Sequence, residues 1–261
     1  MPFSLDHVVI AVSDLDSAIS DYGKLGFSVL RGGEHPRRGS VNALIIFQDG
    51  TYFELIAFGR PVPGFRWWEL LQKAGSGFAD FALLPQNMQA DLEEAKSRGF
   101  AAGPIEPGSR VTPEGQRAEW QTARAPTSDV PFLCGDTTPR KFRVPEGSVR
   151  DHANGVLGIA AITVAVSNLE TSKERYRTLL PAGLVKDKSG AHSARFLCEP
   201  GMIELRQPAA GTSDALAKQL ETRGEGPFSV SLRAPKQIGD LDEKLTCGAR
   251  LQIVSASNPY L

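Results

Sequence analysis

The chain has 261 residues, of which 41% are hydrophobic and 23% charged, with a net charge of −1. This is the composition of an ordinary globular protein, and the length predicts one or two domains. The near-neutral charge balance gives no electrostatic reason to expect binding to nucleic acid or to an anionic membrane surface.

The distribution of cysteines and apolar residues indicates a compartment. Cys134, Cys198 and Cys247 are far apart, which favours free thiols over a disulfide framework. No apolar run is long enough to span a bilayer, and the N-terminus has no secretion-signal pattern. We therefore expect a cytoplasmic protein.

The first 58 residues predict the element order β-α-β-β-β. A run of β-branched residues carrying His7 predicts the first strand, and residues 11–27 predict an amphipathic helix that Ser13 or Asp14 caps and Gly26 ends.

A strand at 27–30, a glycine-rich loop carrying His35 and strands at 43–47 and 51–58 are predicted to follow. Glu54 lies midway along the last strand. If the first and last strands share a sheet, His7 and Glu54 can project from one curved face.

An internal repeat extends this pattern over the chain. Residues 165–169 (AVSNL) repeat residues 11–15 (AVSDL), and weaker copies begin at strands predicted over 78–84 and 228–232, the last followed by a helix near 238–245. The sequence thus predicts an α+β fold of four βαβββ modules that form curved mixed sheets, the last module being truncated.

The modules group two and two, which predicts two domains. Residues 1–140 would form the first, with the cleft, and residues 156–261 a second, degenerate one. The segment 141–155, rich in proline, glycine and charge, is predicted to be the linker.

The first domain resembles a known superfamily in several segments. The strand with His7, the helix from Ser13 and the strand 52–56 resemble a vicinal oxygen chelate module, as found in glyoxalase I, extradiol dioxygenases and bleomycin-resistance proteins. The segments HPRRGSVN, SRVTPEG running on to Trp120, and VPFL resemble the subgroup of glyoxalase-like domains. The subgroup resemblance covers residues 3–135.

The resemblance implies paired modules around a cleft and, in metal-using members, a divalent ion (Zn, Mn, Fe, Ni or Mg) that binds two neighbouring substrate oxygens. It places His7, Glu54 and Asp80 at ligand positions. One imidazole and two carboxylates disfavour a dioxygenase, and residues 130–134 offer only apolar groups and Cys134 as a fourth ligand, which disfavours glyoxalase I activity.

Each ligand position has a structural alternative. His7 could be a hydrogen-bonded strand histidine, and Glu54 could face water through simple alternation. In the second half the corresponding residues are Ala161 and Glu204, and Ser229 stands at the position of Asp80. The second half is therefore expected to be chemically silent.

The loop with His35 has no counterpart in the second half, which favours a local function. His35 and Glu54 are the candidate catalytic residues. Four further residues are expected to bind substrate, although a solvated basic loop and a plain hairpin surface are the alternatives: Arg37, Asn42, Arg110 and Trp120.

Our leading hypothesis is a lyase- or isomerase-type enzyme that acts on a small oxygenated metabolite in the first domain, with a divalent metal as an optional cofactor. The alternative is a metal-free protein that binds a small molecule, as resistance proteins of this fold do. The expected partner is a small-molecule ligand, and a homodimer is compatible with the sequence.

Overall fold

Two curved β-sheets with helices packed against them make up the protein, which a computed structural model describes over residues 3–185 and 191–256. The α+β class and the paired βαβββ architecture predicted from the sequence are confirmed. In chain order the elements are β1 (Phe3–Ala11), α1 (Leu15–Lys24), β2 (Leu30–His35), β3 (Ser40–Ile46), β4 (Tyr52–Phe58), α2 (Arg66–Ala74), β5 (Gly77–Pro85), α3 (Met88–Ser97), β6 (Glu106–Val111), β7 (Arg117–Ala123), β8 (Phe132–Asp136), β9 (Gly158–Ala165), α4 (Leu169–Leu179), β10 (Ser193–Cys198), β11 (Gly201–Arg206), α5 (Ala215–Thr222), β12 (Gly226–Ala234), β13 (Gly239–Asp240) and β14 (Arg250–Ser255).

The first sheet closes into a barrel with the strand order β1-β4-β3-β2-β6-β7-β8-β5. The second is an open sheet of six strands among the described residues, in the order β10-β11-β9-β12-β14-β13. Closure removes the free strand edges of the first sheet and encloses an interior that side chains or a ligand can fill.

Alternation along β1 separates the barrel interior from the main core. Val8 and Ile10 belong to a large apolar cluster that also includes residues of the second sheet, such as Ile162. Val9 and Ala11 point the other way, into a smaller cluster within the barrel. The barrel interior is therefore a separate compartment from the core that stabilises the fold.

The helix start predicted from the sequence is correct, whereas two other elements differ. Asp14 caps α1 by accepting from the Ser17 backbone N–H at 2.7 Å. The strand predicted at 27–30 begins instead at Leu30 and continues to His35, so the predicted loop is largely strand, held by pairing with β3. Residues 238–245 form the short β13 and turns rather than a helix, because strand pairing to β14 takes their backbone bonds.

The segment between the sheets packs against the barrel. Arg143 and Val144 are buried, and His152 accepts from the Ser28 backbone N–H at 3.0 Å while its Nε2 lies 3.0 Å from the Ile46 carbonyl. The segment predicted as a linker thus supplies buried side chains to the first sheet. The division at residues 140 and 156 stays a prediction.

Two buried tyrosines connect the halves reciprocally. Tyr22 in α1 donates to the Thr246 carbonyl at 3.0 Å, and Tyr176 in α4 donates to the Asp129 carbonyl at 2.8 Å. Arg223 adds a third connection, since its guanidinium donates to backbone carbonyls at the end of α2 and the start of β5. Each half therefore completes the packing of the other. Over the described ranges, no helix is long and apolar enough to cross a membrane.

Candidate functional site

The barrel interior contains a cavity of about 200 Å³. Its lining combines aromatic rings, five arginines, two glutamates and two histidines. The lining residues are His7, His35, Arg37, Arg38, Asn42, Tyr52, Glu54, Ile56, Trp67, Glu106, Pro107, Gly108, Ser109, Arg110, Trp120, Thr122, Arg124, Phe132, Cys134 and Arg143. A concave, partly apolar site with a few converging polar groups is the usual form of a small-molecule site.

Glu54 lies at the centre of the polar groups. Its Oε1 accepts a hydrogen bond of 2.7 Å from Asn42 Nδ2 and lies 3.6 Å from His35 Nε2. Its Oε2 lies 3.8 Å from His7 Nε2. Strands β1 and β4 are parallel neighbours in which Val9 lies opposite Glu54. Side chains alternate along each strand, so His7, two residues before Val9, faces the barrel interior on the same side as Glu54. The structure thus brings His7, His35, Glu54 and Asn42 together, as their strand positions suggested.

Both histidines have a polar partner at Nδ1, on the side of the ring away from Glu54. His7 Nδ1 lies 2.8 Å from Asp6 Oδ2, and the ring stacks on Tyr52 with centroids 4.6 Å apart. His35 Nδ1 lies 3.0 Å from Ser40 Oγ. A partner on one ring nitrogen fixes the orientation of the other, so both Nε2 atoms point at Glu54.

The surroundings of Glu54 keep it ionised. Burial raises the pKa of Glu54, but His35, His7, the hydrogen bond from Asn42 and the charge of Arg110 together outweigh burial and lower this pKa below its usual range. The site therefore contains a carboxylate at neutral pH.

His35 is neutral at the same pH. Burial lowers the pKa of His35 from its ordinary value of 6.5 to about 4, with Arg110 and Arg38 acting in the same direction against the attraction of Glu54. His35 Nδ1 is engaged by Ser40, so Nε2 is the nitrogen through which the uncharged imidazole can hydrogen-bond a ligand.

The lowered pKa of His35 makes the stability of the fold depend on pH. Between about pH 4 and 6.5 the unfolded chain binds a proton at this residue and the folded chain does not, so stability falls as the pH falls through this range. We expect wild type to lose about 3 kcal/mol at His35 over that range. A His35→Gln variant should lack this loss, as measured by urea unfolding at a series of pH values.

Comparison with variants isolates the contribution of His35. Burial also lowers the pKa of His152. This residue therefore contributes the same pH dependence of stability to wild type and to the His35→Gln variant. The exposed His192→Gln serves as the control for loss of an imidazole and should retain the wild-type slope. Identical slopes for wild type and His35→Gln would contradict a buried, neutral His35.

A buried ion network lies behind His7. Asp6 and Arg143 are almost fully buried, and Asp6 Oδ2 accepts from Arg143 Nη1 at 2.8 Å while Oδ1 accepts from Arg140 Nη2 at 2.7 Å. Arg143 also donates to the Tyr52 hydroxyl at 2.6 Å. Although burial raises it, the pKa of Asp6 stays well below its usual range because both arginines favour the carboxylate.

Sequence reasoning missed this network. The only local signal for Asp6 was an acidic residue next to His7 in an apolar strand, and Arg143 gave no signal because it lies far away in the connecting segment. Phe132, Tyr52 and Arg124 are further lining residues that the sequence did not single out.

The Asp80 carboxylate lies outside the cavity that contains Glu54. Its carboxylate accepts from Trp67 Nε1 at 2.9 Å, from Arg124 Nη1 at 3.0 Å and from the Phe81 backbone N–H at 3.0 Å. Asp80 does not line the cavity, and it instead holds two residues that do, Trp67 and Arg124. This carboxylate already has its hydrogen-bond partners and a cation, so it is not available as a metal ligand.

The predicted metal ligands His7, Glu54 and Asp80 are not arranged to bind one ion. Within residues 3–185 and 191–256, no three His, Cys, Asp or Glu side chains are grouped to hold an ion. Burial raises the pKa of the Cys134 thiol to about 12, so the thiol is protonated in the ligand-free site.

The predicted substrate-binding residues Arg37, Asn42, Arg110 and Trp120 all line the cavity. Gly32 in β2 makes room for two of them, since a Cβ there would lie 2.1 Å from Asn42 Oδ1 and 3.1 Å from Arg110 Nη1. The absence of a side chain at this strand position therefore allows Asn42 to reach Glu54.

Solved structures with the same fold cover nearly the whole chain. A hypothetical protein from Staphylococcus aureus matches with a TM-score of 0.75 at 14% identity, over 97% of this chain and 99% of that one. A mutant of 4-hydroxymandelate synthase from Streptomyces coelicolor matches with a TM-score of 0.61 at 16% identity, over 90% of this chain and 72% of that one. A xylose isomerase-like TIM barrel/4-hydroxyphenylpyruvate dioxygenase fusion protein matches with a TM-score of 0.55 at 15% identity, over 88% and 36%. At these identities the similarity shows a shared fold alone.

The sequence itself matches a family model. No curated protein matches the chain. The model of the glyoxalase-like domain matches residues 5–180, which is more than half of the chain. The chain therefore belongs to the glyoxalase-like domain family.

Proposed function

We propose that the barrel cavity is the active site of a lyase- or isomerase-type enzyme, in which Glu54 removes a proton from a carbon atom of a small oxygenated metabolite. One observation carries the proposal: a buried, ionised carboxylate faces the cavity with one oxygen held by Asn42 and the other free of short hydrogen bonds to the described residues. That free Oε2 is the candidate proton acceptor.

The proposed step begins with breakage of a C–H bond next to a carbonyl group. The proton goes to Glu54 Oε2, and the electron pair moves to the carbonyl oxygen as an enolate. Arg110 stabilises the developing negative charge, and neutral His35 can donate a hydrogen bond to the same oxygen. Return of the proton to the opposite face of the same carbon as the carbonyl re-forms gives an epimerase-type isomerase. When the carbon β to the carbonyl carries a leaving group, the enolate electrons instead form a double bond to that carbon, and the group departs with its electron pair, which gives a lyase.

The low pKa of Glu54 makes it a weak base in the ligand-free site. A substrate that displaces water and offsets the charge of Arg110 raises this pKa, because both changes disfavour the carboxylate. Substrate binding thus strengthens the base at the moment when it is needed. Because the predicted metal ligands do not fit, no step of this proposal passes through a metal.

Proton exchange tests this function. The protein, dialysed against a chelator, is incubated in D₂O with small 2-oxo and 2-hydroxy compounds, both neutral and acidic, and their C–H signals are followed by proton NMR. We expect deuterium to replace the C–H proton of at least one compound. Failure of every compound to exchange, although one of them binds, would contradict the enzyme.

A binding protein is the second candidate, and the aromatic lining favours it. Tyr52, Trp67, Trp120 and Phe132 give the cavity walls that hold a ligand through contact area alone. Quenching of tryptophan fluorescence by a compound that undergoes no exchange and no turnover would support this alternative.

A further inference from the structure

The five arginines around the cavity differ in their partners. Arg143 binds Asp6 at 2.8 Å, and Arg124 binds Asp80 at 3.0 Å, so both have carboxylate partners. The exposed Arg37 donates to the Pro107 carbonyl at 2.9 Å. Arg38 and Arg110 are more deeply placed and form no salt bridge with a described carboxylate, although the charge of Glu54 counters the lowering of both pKa values by burial.

Arg110 is a nearly buried guanidinium with donors left over. It is 3% exposed, and its Nη2 donates to the Arg143 carbonyl at 3.1 Å. Its Nε has no acceptor within the described part of the chain. Burial lowers the pKa of Arg110 and the charge of Glu54 offsets this only in part, so a further bound anion would stabilise the buried cation.

Arg38 is half-buried and makes neither an ion pair nor a side-chain hydrogen bond with any described residue. Its guanidinium lies over the ring of Phe65, with Cζ 4.4 Å from the ring centroid. Stacking holds the plane of the group in place and leaves its in-plane N–H donors free for a ligand.

The backbone places both arginines next to His35. Arg38 follows His35 in the β2–β3 turn, where its N–H donates to the His35 carbonyl at 3.0 Å. Arg110 lies in β6, the strand that pairs with β2 through Glu34 and Val111. Both guanidinium groups line the cavity and both lower the pKa of His35, so each lies near its imidazole.

We propose that the ligand of this cavity is a small organic acid whose carboxylate binds between Arg38 and Arg110, beside His35. This inference rests on the proposed function of the cavity and adds the chemical class of the substrate. Planar guanidinium groups match a carboxylate, and a cavity of about 200 Å³ suits a small acid. The carboxylate would also give Arg38 and Arg110 the direct salt-bridge partner that the described lining does not supply.

A pair of isosteric probes tests the charge directly. Pyruvate and its neutral amide, pyruvamide, have nearly the same shape, and inorganic phosphate supplies a tetrahedral anion. Binding is measured at low ionic strength by quenching of Trp67 and Trp120 fluorescence. We expect pyruvate to bind at least about tenfold more tightly than pyruvamide, the scale of one charge-assisted hydrogen bond.

Variants test whether Arg38 and Arg110 bind the anion. Arg38→Met should weaken pyruvate binding about 10- to 100-fold and leave pyruvamide binding unchanged. Arg117→Met is the matched control, because this exposed arginine on β7 pairs with Glu119 outside the cavity lining. Arg110→Met should act like Arg38→Met if it folds, and Arg38→Met keeps the test decisive if it does not.

Titration of His35 by NMR tests for a bound carboxylate independently of the variants, because a purely structural role of the arginines would not change the His35 pKa on addition of pyruvate. A bound carboxylate favours the protonated imidazole, so saturating pyruvate should raise the pKa of His35 above its ligand-free value of about 4. Pyruvamide should leave this pKa unchanged.

The results separate this inference from the proposed function. Equal binding of pyruvate and pyruvamide, or binding of phosphate alone, would overturn the carboxylate assignment, and so would an Arg38→Met variant with wild-type selectivity. Exchange of a neutral compound would then still support the enzyme. Selective pyruvate binding without exchange by any acid would support the inference and leave the enzyme contradicted.

Discussion

Glu54→Gln is expected to lower the rate of C–H proton exchange by about 10³-fold, within the range that a positioned general base contributes. Glutamine keeps the size of the side chain and still accepts the hydrogen bond from Asn42. It cannot accept a proton from carbon. We therefore expect a loss of kcat with little change in KM, measured by initial rates of deuterium exchange.

The Glu106→Gln variant is the control for loss of a carboxylate from the cavity lining. Glu106→Gln removes the other glutamate of the cavity lining and should change the rate by less than about fivefold, as expected for a rim charge. The wild-type kcat/KM, which reports the ligand-free enzyme, should also fall as acid protonates Glu54, at a pH below the usual glutamate range because its pKa is lowered. Full activity in Glu54→Gln, with loss of activity in His35→Gln, would move the base to the histidine.

Asp6→Asn is expected to destabilise the fold by about 3–5 kcal/mol, the cost of removing one partner from a buried ion pair. The Asp6 carboxylate is fully buried and binds both Arg143 and Arg140. Asparagine fits the space but supplies no charge, so Arg143 would keep only Asp136, at 2.9 Å, as its anion. Urea unfolding at pH 7 measures the change.

The pH range of this contribution follows from the lowered pKa of Asp6. The stabilisation is fully present above the pKa of an unfolded aspartate, near 3.8, and is lost as the pH falls through the lower folded pKa. Asp16→Asn is the control, since this exposed carboxylate pairs with Arg31 at the surface, where such pairs contribute about 0–1 kcal/mol. An Asp6→Asn variant as stable as Asp16→Asn would contradict the network.

The sequence predicted those parts of the site that follow from the alternation of side chains along a strand. Helix caps and turns mark the ends of the strands that carry His7 and Glu54. Alternation along these strands then places both side chains inside the barrel. Apolar periodicity likewise predicted the modules and the start of α1, because Asp14 is a local signal that tertiary packing did not override.

Other parts depend on contacts between residues that are distant along the chain. Asp80 occupied a plausible ligand position, and only the fold shows that Trp67 and Arg124 take its carboxylate. Arg143 lies in a segment whose composition indicated an exposed linker, yet its guanidinium is buried against Asp6. Local patterns contain no information about which distant cation will neutralise a buried acid.

The position of Arg143 in the connecting segment limits how the barrel can be used in protein engineering. A shortened protein that stopped at residue 140 would keep every strand of the barrel but would lose the guanidinium that neutralises Asp6 and holds the Tyr52 hydroxyl. The imidazole of His7 would then rest on an acid without its main counter-ion. Any transplant of this pocket into another scaffold must therefore carry the chain onward through Arg143 and Val144, or replace their charge and volume from elsewhere.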